Sequence, residues 1–385
     1  MGQGRWFQAT LAVIVVAAIA MLSMTGCGGF FVPPDNSGGG GGGGGGGTGG
    51  TGRVYVANGT TGSIAGFTIA NGTLTAVPNS PLSLGFQPLA AVVSPNNSFL
   101  YVAGAGSVNV YAINSDGSLS AVNLGVAISV TTLDISPDGQ WLFGLDLLAN
   151  NLDQFQIDPS SGGLATMTPT AYPSSTGTLP TPQMVKVSPA GNLIFASLGT
   201  GGDAVFTLDT ASGTVVFSQQ LTLSSASTSD NGIAVAVNSA GTYLYIARSG
   251  TNGGIAVYTV GSGGTLNQIA GSPFVAGNQP FAVSLDTTGK YLYVANRQDG
   301  TISGYTIGTN SALTAIAGSP FGSGTQVNSL GAERSGTYLL AGAQGGNPDL
   351  SMYSFDTTTA GKLDLAKSTA TDTDPAGVTA IALTH

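Results

Sequence analysis

From residue 53 onward, short apolar runs alternate with turns rich in Gly, Ser, Asn and Asp. The clearest stretches are Phe281-Ala-Val-Ser-Leu285, a turn at 286–289, then Tyr291-Leu-Tyr-Val-Ala-Asn296, and their counterparts at 234–237 and 243–248. Runs of four to seven residues rich in Val, Ile, Tyr, Phe and Thr, bounded by turn formers, predict β-strands. Turns such as Ser136-Pro-Asp-Gly139 suit a tight reversal, because Pro presets φ and Gly takes a left-handed position. A third strand recurs as Ile64-Ala-Gly-Phe-Thr-Ile69 and Ile302-Ser-Gly-Tyr-Thr-Ile307. A shorter fourth, such as Leu313-Thr-Ala-Ile-Ala317, often ends in Gly-Ser-Pro-Phe (271–274, 318–321).

The second-strand position repeats at Tyr55, Tyr101, Phe143, Phe195, Tyr245, Tyr293 and Leu340, spaced 42 to 52 residues apart. Seven copies of a four-stranded unit predict an all-β, seven-bladed β-propeller. Blade sheets are covered on both faces, which accounts for apolar runs without strict alternation. The chain starts its first unit at a second strand (Val54–Asn58) and finishes with 377–384, which reads as a first strand. The C-terminal strand is therefore expected to pair with the N-terminal blade and close the ring.

Residues 1–26 read as a lipoprotein signal peptide: Arg5, the apolar run Leu11–Leu22, and Met24-Thr25-Gly26-Cys27. That last tetrapeptide resembles the lipobox of bacterial lipoproteins, which implies cleavage before Cys27 and acylation of its sulfur. Cys27 is the only cysteine, so neither a disulfide nor a Cys-based metal site is available. Residues 27–52 read as a tether containing ten consecutive glycines, Gly38–Gly47. A coil of this kind spans roughly 25–30 Å. Residues 53–385 are the propeller. The expected location is the cell envelope, at the outer membrane or cell surface, with Cys27 as the membrane anchor.

Only 7% of residues are charged and the formal net charge is −9. No basic stripe is present, which excludes nucleic acid as a partner. A protein, a glycan or a small molecule remains open, and the body is expected to be a monomer. The only His is His385 and the only Glu is Glu333, in a strand one-to-two turn. A Ser-His-Asp triad and a His-rich metal site are thereby excluded. No cofactor is implied, although an oxygen-only Ca²⁺ site stays open.

Function is expected on the face that carries the second-to-third and fourth-to-first connections, the latter being long and varied (167–182, 221–230, 318–328). Polar groups on the second-to-third side are Asp146, Asn150, Asp203, Arg248, Asn252, Asn296, Arg297, Asp299 and Asp349. Arg248 and Arg297 stand out because four arginines follow Cys27. In adjacent blades they could clamp a carboxylate or phosphate, or each could pair with a local Asp such as Asp299. Arg248, Arg297, Asp299, Asp203 and Asn296 are the candidate ligand-binding residues, with Arg248, Arg297 and Asp299 as catalytic candidates.

Tyr-Val-Ala-Asn at 55–58 and 293–296, with the Ser-Pro-Asp-Gly turn, resembles the lactonase-type propellers related to YVTN-repeat surface proteins. The resemblance covers roughly 53–385. It implies a seven-bladed fold and an activity that opens or closes a sugar-acid lactone, such as 6-phosphogluconolactone, or a muconate-type lactone, carried by polar residues including His, Arg and Glu at the mouth. This chain lacks a His or Glu there. The leading expectation is therefore a lipid-anchored binding module on the envelope. The alternative is a lactonase in which an Asp activates water and Arg248 or Arg297 stabilises the oxyanion.

Overall fold

The computed structural model describes residues 52–385 except 147, 173–179, 222–230, 251–252 and 374–375. The lipobox, Cys27 and the glycine tether lie outside the described residues, as does Asn252. Seven antiparallel sheets, each in the order first, second, third, fourth strand, form the seven blades expected from the repeat. Blades two to seven occupy residues 88–121, 130–166, 184–221, 231–268, 280–315 and 327–369. Blade one joins the two ends of the chain: Val378–Leu383 supplies its innermost strand beside Gly52–Asn58. The pairing is antiparallel, with Val54 opposite Leu383 and Val56 opposite Ile381.

Apolar side chains from neighbouring blades interdigitate across each seam. Val108 and Val110 of blade two share one buried cluster with Phe155 and Ile157 of blade three. Burial on both faces is what the long apolar runs required.

The second-strand tyrosines do more than fill these seams. Their hydroxyls donate across to the third-to-fourth turn of the next blade: Tyr55 to the Gly117 carbonyl (2.8 Å), Tyr101 to Gly162 (3.2 Å) and Tyr293 to Gly361 (2.7 Å). Tyr245 reaches the Ser311 hydroxyl of blade six at 3.1 Å. Blade three has Phe143 at this position, and there the Gln154 amide donates to Gly213 at 2.8 Å instead. Each link satisfies a turn group that the neighbouring sheet would otherwise bury unpaired.

The Gly-Ser-Pro-Phe segments interrupt the fourth strand rather than end it. The Ser272 and Ser319 hydroxyls accept from the third-strand amides of Val257 (2.8 Å) and Gly304 (2.9 Å), filling the gap in the ladder. Phe321 then resumes pairing with Ile302.

Most innermost strands carry a β-bulge at their upper end, for example between Pro280 and Ala282 and between Val327 and Ser329. A bulge re-aims one side chain. The bulged Asn328 donates to the Val378 carbonyl of blade one at 2.6 Å, and Thr379 donates to the Pro88 carbonyl of blade two at 3.0 Å. These two bonds tie the closing strand to both neighbours. At the lower end, the His385 Nε2–H donates to the Val93 carbonyl at 3.1 Å.

Replacing Tyr293 by Phe removes one donor from a buried pair. The expected loss is about 1–3 kcal/mol in unfolding free energy, because the Gly361 carbonyl is left unpaired; urea denaturation measures it. Burial lowers the His385 pKa to about 4, with Lys186 and Arg334 adding repulsion against the opposing Val93 bond. The unfolded chain holds its proton up to about 6.5, so stability is full above that value and declines as pH falls toward 4. Solvent contact trims this to about 1–2 kcal/mol. His385→Gln is expected to flatten the difference in stability between pH 7 and pH 4.5; an unchanged slope would assign the acid sensitivity elsewhere.

Candidate functional site

The second strands end on the upper face, and the residue after Tyr-x-Ala differs from blade to blade. In blades one and six it is a fully buried asparagine. Asn296 donates to Thr301 Oγ1 (3.0 Å) and Ser303 Oγ (2.9 Å), and its Oδ1 accepts from the Gly277 amide (3.0 Å). Asn58 does the same work with Ser63 and Thr371. Both asparagines brace their own blade against the incoming connection. Asn296, a candidate ligand contact in the sequence, has its amide engaged on both sides.

In blade five the same position holds Arg248. Its side chain turns toward blade four, where Nη2 meets Asp203 Oδ2 at 2.6 Å, and it also donates to the Tyr258 hydroxyl at 3.2 Å. Asp203 begins the third strand of blade four. Both side chains are buried, at 9% and 5% exposure, so this is a desolvated ion pair between blades. Burial raises the Asp203 carboxyl above its ordinary value, with Arg248 opposing the rise.

The pair is lopsided. Asp203 Oδ1 is buried and has no hydrogen-bond partner among the described residues. It lies over Gly232 on the innermost strand of blade five, where a Cβ would come within 2.1 Å of it. Any side chain at 232 would displace the carboxylate. Asn231, the first residue of that strand, also has a buried, unpartnered Oδ1. Two acceptors and a guanidinium thus gather at the top of the seam between blades four and five. A purely structural Arg–Asp pair gains most from two parallel bonds. This one has a single short bond to the guanidinium, and its second oxygen is packed over Gly232 without a hydrogen-bond partner among the described residues.

The second predicted arginine goes elsewhere. Arg297 donates to Gln344 of blade seven and lies 4.8 Å from the Phe281 ring centroid. Arg248 faces blade four and Arg297 faces blade seven, so the structure shows no shared clamp between them. Asp299 is exposed, and its two oxygens accept from the Asn278 backbone amide and side-chain amide, both at 2.7 Å. Those bonds hold its carboxyl below the usual carboxylate range. It braces a loop and is poorly suited to taking a proton. Asp349 is buried and accepts from Thr371 Oγ1 at 3.0 Å. Asp146 accepts from the Leu148 and Ala149 amides at 2.6 and 2.8 Å, an Asx-type turn. Asn150 takes a left-handed φ of 54° in the same loop.

Two groups escaped the sequence reading. Asn231 begins the innermost strand of blade five, just after the 221–230 connection, and was not among the candidates. Asp153 lies in the third strand of blade three, and its carboxyl is pushed up to about 6, first by burial and then by Asp146. No local motif marks either one. Glu333 lies in the turn after the innermost strand of blade seven, on the lower face, as its sequence position implied. No group of three or more His, Cys, Asp or Glu is placed to hold a metal among the described residues.

Comparison with solved structures finds the same architecture in several bacterial proteins. A candidate 6-phosphogluconolactonase of Bacteroides fragilis superposes with a TM-score of 0.72 at 16% identity, covering 88% of this chain and 99% of that one. The periplasmic gluconolactonase of Pseudomonas aeruginosa gives 0.69 at 16%, covering 87% and 99%. A protein from Lactobacillus plantarum gives 0.71 at 15%, covering 87% and 100%. Identities this low establish a shared fold. No curated protein sequence matches the chain significantly. The sequence profile of the family described as "Lactonase, 7-bladed beta-propeller" matches residues 49–329. The chain belongs to the family of seven-bladed β-propeller lactonases.

Proposed function

We propose that this propeller hydrolyses a lactone at the seam between blades four and five, with Asp203 as the water-activating group and Arg248 as its electrostatic partner. The observation that carries this reading is the unengaged Oδ1 of a buried carboxylate whose other oxygen is fixed at 2.6 Å by a guanidinium. Family membership and the names of the structural neighbours support lactone chemistry as the class.

Water bound at Asp203 Oδ1 attacks the lactone carbonyl carbon and gives its proton to the carboxylate. The carbonyl oxygen takes up the electron pair beside the positive charge of Arg248. As the tetrahedral centre collapses, the ring C–O bond breaks and the leaving oxygen recovers the proton from Asp203. The product is a hydroxy acid and the enzyme is restored. Burial serves the step twice: it makes Asp203 a stronger base, and it strengthens the field of Arg248.

The same reading holds the propeller at the cell envelope through an acylated Cys27, with the glycine-rich segment as tether. Exported location argues against a cytoplasmic phosphorylated metabolite as substrate. A non-catalytic binding role is the second reading. It is favoured by the lower-face positions of His385 and Glu333, which leave Asp203 without a second classical acid–base group.

Turnover of a panel of five- and six-membered lactones by the purified chain tests the proposal. Asp203→Asn is expected to lower kcat about 10²–10⁴-fold and Arg248→Lys about 10²-fold. Because unpairing a buried charge also destabilises, the double variant Asp203→Leu with Arg248→Met supplies the folded control: it should melt near the parent temperature and lose turnover. For the parent, kcat/KM should rise with pH along an acid limb displaced above the ordinary carboxylate value of about 3.9. Full activity in the double variant would remove the site from consideration.

A further inference from the structure

We propose that the upper end of the seam between blades two and three is a pH-dependent clasp: an uncharged Asp153 holds it shut in mildly acid medium, and an ionised Asp153 loosens it at neutral pH. The proposed chemistry at Asp203 is not needed for this, because Asp153 belongs to another seam.

Asp153 lies in the third strand of blade three, opposite Gly144. Phe155 and Ile157, two and four residues along the same face, join the apolar cluster that also takes in Val108 and Val110 of blade two. Asp153 therefore points into that seam. It is 6% exposed, and its Oδ2 is buried without a hydrogen-bond partner among the described residues. Gly144 has no side chain to offer, and a Cβ there would meet Val130 at 2.8 Å.

The neighbour on the same sheet face is a second acid. Asp146 pairs with Asn151, so it stands one diagonal step from Asp153, about 7–8 Å between backbones. Its Oδ1 is committed to the Leu148 and Ala149 amides, and the Tyr172 hydroxyl donates to its backbone carbonyl at 2.8 Å. Asp146 thus shapes the loop that covers the top of the blade.

No cation is at hand to neutralise these carboxyls. Between Arg53 and Lys186 the sequence contains no Lys, Arg or His, and the connections 173–179 and 222–230 add none. The two flanking cations have other partners: Arg53 donates to the Ser115 carbonyl, and Lys186 meets Asp134 at 3.1 Å. The titratable groups facing Asp153 are Asp146 on the second strand and Tyr172 after the fourth, whose hydroxyl burial keeps protonated. On the innermost strand, Asp134 is engaged by Lys186 near the lower end. From blade two, the Tyr101 hydroxyl is spent on the Gly162 carbonyl, and the one charged residue, Asp116, sits in the lower turn.

Burial, then Asp146, raises the Asp153 carboxyl from its ordinary 3.8 to about 6. A carboxyl raised in the closed state stabilises that state while protonated. The contribution is full below about 4 and is lost as pH rises through about 6. His385 acts with the opposite sign, so the two effects are separable.

Hydrogen exchange in the purified chain, corrected for its intrinsic pH dependence, reads the clasp. The amides of residues 144–154 and of the facing strand 107–113 should show an opening constant that rises about 50-fold from pH 4 to pH 7. Those of blade six, residues 292–305, serve as the reference and should not follow. Asp153→Asn keeps the shape without the charge and should cut the rise to less than threefold. Asp146→Asn keeps the Oδ1 acceptor and should lower the Asp153 midpoint, followed by carboxyl carbon NMR, by about half a pH unit. A parent Asp153 that titrates at the ordinary value overturns the proposal, as does a rise that persists in Asp153→Asn. Titration near 6 without any response of the seam amides overturns it too. The parent measurements decide the matter even if a variant fails to fold.

Discussion

The antiparallel pairing of Val378–Leu383 with Val54–Asn58 is the constraint on which the molecule depends. A row of seven sheets would otherwise stop at two unpaired faces and an open edge. Pairing the chain's two ends converts the row into a ring, and every seam then has a blade on both sides. Asn328 and Thr379 reinforce the junction from the neighbouring blades by bonding carbonyls at the tops of innermost strands. The ring is what gives the upper mouth a fixed circumference, so that groups hundreds of residues apart in sequence hold constant positions around it.

Within that ring one short motif does two jobs at opposite ends of a strand. Its tyrosine points into the seam and bonds the turn of the next blade below. Its last residue sits at the top and bonds the incoming connection. In blades one and six, asparagine serves the second job with an amide that can donate and accept at once. The repetition of Tyr-Val-Ala-Asn is therefore a record of seam chemistry. It explains why the motif identifies the fold so well and says so little about activity.

This division also explains what could be read from the sequence. The blade number, the four-strand unit and the closing strand were legible because they rest on spacing and on apolar pattern, which survive Phe143 or Leu340 replacing a tyrosine. The interruption of the fourth strand at Ser272 and Ser319 was not legible, because it depends on a hydroxyl replacing a backbone acceptor. Arg248 and Asp203 were both visible as candidates, but their partnership was not: they are in different blades and meet only after the ring forms. Asp299 was a reasonable choice by proximity to Arg297. Its engagement by Asn278 comes from a loop whose path the sequence does not specify. Asn231 carried no signal at all, since an unpaired oxygen is a property of what surrounds it.

Arg248 is where the local rule is broken, and the break points to function more strongly than rarity of charge does. An asparagine there would have braced blade five as it braces blades one and six. The arginine instead reaches across a seam, at the cost of burying two charges whose mutual attraction does little more than offset their desolvation. It also requires Gly232 on the adjoining strand, since a Cβ there would collide with the carboxylate. Three positions in two blades are thus committed to one ion pair that leaves an oxygen unbonded. Stability alone would be served as well by apolar residues of similar volume. A site that must hold a base in a fixed orientation beside a positive charge has no such substitute, and departures of this kind concentrate where a fold is used for chemistry.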